Sequence, residues 1–223
     1  MTDDLFETQS QENLDALATL PTSMLSRRRL LIGSGVGALG LLAAACGDDD
    51  EESSAEGDDE GGPGDVDAAK VAASLEVLAV NTYKAALDAA GAGKLGEVPP
   101  AVATFATTVM GHHQTHLDMW NAVITGAGGE AVTEPPASLA ATVNEKFATV
   151  TDVNGVAGLA LELEQIAAAT YLTVIPALKD KAAIMLASQI HPIDMQHAAV
   201  LLFVAGMYPV PDTFAQKDKA FTA

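Results

Sequence analysis

SLEVLAVNTYKAAL (residues 74–87) is answered 88 positions later by ELEQIAAATYLTVI (residues 162–175). Both carry Leu-Glu, an Ala three residues after the Glu, and then Thr-Tyr. Glu76 and Tyr83 are seven apart, as are Glu164 and Tyr171. Seven residues is nearly two helical turns, so in a helix each Tyr shares a face with its Glu. The setting is apolar, with Leu75, Leu78 and Ala79 around Glu76 and Leu161, Leu163 and Ile166 around Glu164. A carboxylate in such a helix either faces water or needs a partner or a metal ion in the interior. One Glu of this kind reads as a surface residue. The same residue twice, with the same Tyr spacing, suggests duplicated chemistry.

Gly and Pro clusters divide the surrounding chain into long apolar segments. The pattern predicts a first helix over 66–90, with Asp65 or Asp67 as N-cap and Gly91 as its stop. A second helix begins near Pro99-Pro100, where Pro suits a first turn, and ends at GAGG (126–129). A short helix is expected over 138–149, a third long helix over 155–178 and a fourth over 181–206. Pro192 falls inside the fourth and is expected to kink it. The link between the second and third long helices is long enough for a crossover, whereas the other two are short and predict antiparallel neighbours. The expected fold is an all-α four-helix bundle with one long crossover. The fourth helix is apolar enough to raise a membrane-spanning reading, but His191, Asp194, Gln196 and His197 argue against exposure to lipid.

All five histidines fall in two windows, GHHQTH (111–116) and HPIDMQH (191–197). His113-x-x-His116 and Asp194-x-x-His197 place their side chains roughly 60° apart on a helix, so each pair can face one point. His112 and His116 are also co-facial, which makes His112 an alternative to His113. His113 is preferred because it stands opposite Asp194 in the repeat. His191 can serve as an outer partner or a further ligand. Tyr83 and Tyr171 read as core, and Trp120 as core or interface.

Glu on two helices and Glu-x-x-His on the other two is the di-metal carboxylate pattern, and the order here is Glu, His-x-x-His, Glu, Asp-x-x-His. On these residues the chain resembles the ferritin-like family of four-helix bundles, in particular its secreted bacterial branch, over about residues 66–208. The resemblance implies metal ligation by Glu76, His116, Glu164 and His197. His113 and Asp194 complete the set, each standing where the family has Glu. It also implies iron, with Fe(II) oxidation by oxygen or peroxide, or metal handling under oxidative stress. The two departures leave only three carboxylates for two divalent ions. A di-iron centre, a single ion, and zinc or manganese therefore stay open. So does a non-catalytic helical bundle acting as a structural or interaction module.

The first 65 residues have another character. SRRRLLIGSGVGALGLLAAAC (26–46) joins Arg27-Arg28-Arg29, a Gly-containing apolar run and Ala43-Ala44-Ala45. It resembles a twin-arginine export signal, with a membrane anchor as the alternative. Cys46 follows the small residues as in a lipoprotein signal. Lipidation there would tether the protein to the outer face of the membrane; otherwise it is a stray cysteine. Residues 46–65 hold ten acids and no Lys or Arg and read as a disordered linker. The domain order expected is signal (1–45), linker (46–65), bundle (66–208) and tail (209–223).

The whole chain has 223 residues and a formal charge of −19. No arginine lies beyond the signal region, so nucleic acid is not an expected partner. With a single cysteine, no intrachain disulfide is expected. A monomer or small oligomer fits a tethered domain better than a cage.

Overall fold

The computed structural model describes residues 63–222. The segment read from sequence as an export signal, Cys46 and the acidic stretch up to residue 62 lie outside the described residues. Within them are five α-helices and no strand: α1 (Pro63–Gly91), α2 (Pro100–Gly126), α3 (Ala137–Phe147), α4 (Val153–Val174) and α5 (Lys181–Val204). A single 3-10 turn, Ile175–Ala177, extends α4. α1 packs along α2 and α4 along α5, while α1 also meets α4 and α2 meets α5. This is the expected four-helix bundle. The segment from 127 to 152, including α3, is its crossover.

The local chemistry explains the boundaries. Pro100 opens α2 at a position where its missing N–H costs nothing. Asp152 accepts a hydrogen bond from Gly155 N and Asp180 accepts one from Ala183 N, capping α4 and α5 at about 1 kcal/mol each. α2 ends where Gly128 adopts φ +81°, and Gly129 follows it so closely against the helix that a Cβ would meet Ile124 at 2.9 Å. Asn121 then holds the departing loop by two hydrogen bonds to the backbone of Val132.

The start of α1 differs from expectation. The helix takes in Pro63–Asp65, the last residues assigned to the linker, and Asp65 is not its N-cap. Instead the Asp65 carboxylate, 5 % exposed, accepts from the backbone N–H groups of Lys179 and Asp180 just before α5. It satisfies donors at a distant helix start, and a negative charge suits that place.

α5 runs without a break through Pro192. Among the described residues, the helix that meets the length and apolarity of a membrane span is α4 with its 3-10 extension, Val153–Ala177; half of its most apolar stretch is buried in the bundle, as befits a core helix. One core cluster, including Trp120, Ile124, Tyr171 and Ala187, fills one end of the bundle. Another, including Val109, Ala157, Leu161 and Leu201, fills the other. Val143 of α3 packs with Leu78, Leu159 and Leu163, fastening the crossover to α1 and α4. The tail is also fastened: Lys219 Nζ donates to Gln165 and Phe221 N donates to Thr170 Oγ1 on α4.

Candidate metal centre

The four long helices bring all six expected donors into the layer between the two core clusters. Glu76, His113, Glu164 and Asp194 are at most 1 % exposed, and His197 is 5 % exposed. His116 is partly buried. The donors form two overlapping sets, within each of which the candidate ligand atoms lie no more than 4.8 Å apart. His113, Glu164, Asp194 and His197 make the first; Glu76, His113 and His116 make the second.

The repeat becomes a two-fold pattern of hydrogen bonds. Tyr171 Oη donates to Glu76 Oε1 at 2.6 Å, and Tyr83 Oη donates to Glu164 Oε1 at 2.6 Å. The tyrosine of each helix therefore serves the glutamate of the other. Residue 76 meets 171 while 83 meets 164, so α1 and α4 run antiparallel. Trp120 Nε1 in turn donates to Tyr171 Oη at 2.7 Å. The tyrosines, read from sequence as core, are buried but are also the clamps that orient both carboxylates. Their spacing was the available signal, but it points to the same helix face and not to the partner across the bundle.

His113 occupies the centre. Its Nδ1 donates to Glu76 Oε2 at 2.7 Å and its Nε2 lies 3.2 Å from Glu164 Oε1. With a carboxylate at each nitrogen, the ring is held as an imidazolium. Burial opposes its charge, but Glu164 and Glu76 outweigh that, and its pKa rises well above 6.5. The effect is mutual. Burial would raise both glutamates, yet contact with His113 and His116 holds Glu76 at about 2. His113 and then His197 hold Glu164 at about 2 as well.

For Asp194 the charge of His113 does not suffice. Both its carboxyl oxygens are buried without a hydrogen-bond partner. Burial, reinforced by the charges of Glu76 and Glu164, pushes its pKa well above 3.8. Its charged form is disfavoured there, and an orphaned buried carboxyl is costly unless a cation stands beside it. His116 Nδ1 is likewise without a hydrogen bond, standing 3.6 Å from Glu76 Oε2. The donor set therefore fits a metal ion. Two carboxylates and two imidazoles in the first set balance one divalent ion, and mixed N/O ligation suits iron, zinc or manganese.

His112, the alternative ligand, stays outside both sets. Its Nδ1 lies 2.9 Å from His197 Nε2, so it orients a candidate ligand. His191 also stays outside them.

The family model for a ferritin-like domain matches residues 64–206. No curated protein and no solved structure matches the chain.

Proposed function

This chain belongs to the ferritin-like domain family, and from that membership and its buried donors we propose that it is an exported, membrane-tethered metal-binding protein whose ion is iron. The observation that carries the reading is Asp194, a fully buried carboxyl with neither oxygen satisfied, beside Glu164 and His197. His113, Glu164, Asp194 and His197 would hold one ion tightly. Glu76 and His116 would hold a second only weakly, because that set carries a single carboxylate and must share His113. Bound iron would supply one-electron chemistry with oxygen.

The protein's own part is to position and to manage protons. Tyr83 and Tyr171 fix which carboxylate oxygens remain for a ligand. Asp194 and His113 would give up their protons in order to hold an ion. His112 and His197 share a proton between facing nitrogens at the partly exposed side of the site. The apolar core clusters on either side keep bulk water away from the donors.

Elemental analysis of protein purified from its native host tests the reading. A single iron per chain is expected, with Fe(II)-dependent oxygen uptake that disappears in Glu164→Ala. Metal-free protein from the host would leave only a helical interaction module. Metal without oxygen uptake would leave storage or delivery.

The place in the cell is proposed from the sequence: Arg27-Arg28-Arg29, Ala43-Ala44-Ala45 and Cys46 lead into a self-repelling acidic stretch that would hold the bundle off a membrane surface. Cys46→Ser is expected to move the protein from the membrane fraction to the soluble exported fraction. An unchanged distribution would count against the tether.

A further inference from the structure

A cavity of about 60 Å³ lies between the ends of α1 and α5 and the starts of α2 and α4. Alanines from three of those helices (Ala86, Ala90, Ala103, Ala106, Ala157 and Ala160) leave the space unfilled. Every lining side chain is apolar except Tyr83, whose hydroxyl is directed away to Glu164. A water there would lack the two to four polar partners that hold buried water, so the space favours an apolar occupant.

Its position relates it to the donor cluster. Tyr83 lines the cavity and stacks on His113, with ring centroids 5.7 Å apart. Phe105 lines it and meets His197 edge-on at 6.4 Å. Two aromatic rings thus form the wall between an apolar void and two candidate ligands. An unfilled void weakens packing.

We propose that this cavity is a binding site for an apolar molecule of dioxygen's size, placed one ring's thickness from the metal ligands. The size argument is direct. An apolar cavity of about 150 Å³ takes benzene or xenon, and a water occupies about 30 Å³ in the liquid. At about 60 Å³ this space is less than half that first volume and is ample for a diatomic gas. The proposal rests on the metal reading for its purpose, though not for the binding itself.

Xenon is the probe. Titrating the zinc-loaded full chain with dissolved xenon and following its ¹²⁹Xe resonance is expected to give a saturable shift. Ala157→Leu and, independently, Ala86→Val should abolish it by filling the space. In manganese(II)-loaded protein the bound-xenon signal should relax faster than in the zinc form, because the paramagnetic ion is nearby. No saturable shift in the native chain, or an equal one in whichever variants fold, overturns the site. Saturable binding without faster relaxation in protein that holds manganese separates the cavity from the metal and overturns the placement. Should the chain take up neither zinc nor manganese, the metal reading fails, while the xenon shift in the metal-free chain still decides the cavity.

Discussion

Asp194→Asn is expected to weaken tight metal binding by at least about a hundredfold and leave the metal-free fold almost unchanged. Losing a partner one step removed from a metal costs 10–100-fold, so losing a charged ligand costs no less. The fold should tolerate the change because burial and the charges of Glu76 and Glu164 already disfavour the charged form of Asp194 without a metal. An amide of the same shape replaces a carboxyl that has no hydrogen-bond partner. The metal-free stability should therefore move by no more than about 1 kcal/mol. Competition against a chelator measures the first effect and thermal melting in excess chelator the second. The native protein should also release about two protons per ion, one from Asp194 and one from His113, so its affinity should rise with pH until both are deprotonated in the metal-free state. Undiminished binding in Asp194→Asn would remove this residue from the site.

The helices were legible because their punctuation is local. Pro99-Pro100, Gly126–Gly129 and the caps at Asp152 and Asp180 act within a turn of where they stand. What escaped was set by distant contacts. The start of α1 depends on Asp65 reaching residues 179 and 180, and nothing in the acidic stretch announces that. The six donors were legible through the repeat and the i, i+3 spacing. The exchange of tyrosines was not, because it requires knowing that α1 and α4 are antiparallel neighbours. His112 and His113 are adjacent in sequence but point about 100° apart on the helix. Only the bundle's packing settles which faces the core. The central role of His113 was legible only as a departure from Glu. That it bridges both glutamates as a cation depends on its surroundings.

That bridge makes His113→Glu the most disruptive change to the metal-free protein. In the native chain the imidazolium lies between two buried carboxylates and holds each at about 2, below the ordinary 4.5. Their contribution to stability is present above pH 4.5 and fades as pH falls toward 2. His113 itself is raised above 6.5, so its contribution is complete below 6.5 and fades as pH rises through its elevated pKa. The metal-free native protein should thus be most stable between these limits. Putting Glu at 113 removes the cation and adds a fourth carboxyl to the same apolar layer. Burial and mutual repulsion then raise the group's pKa values, so stability should be present at low pH and lost as pH rises. At neutral pH the loss should be about 3–5 kcal/mol, the usual cost of leaving buried charge uncompensated. Metal should reverse the deficit, since four carboxylates balance two divalent ions where three do not, and metal content should rise from one ion per chain to two. Calorimetry across pH with chelator, and elemental analysis without it, measure both effects. A chelated variant that melts like the native protein at neutral pH would show that the bundle does not rely on His113 as its internal cation.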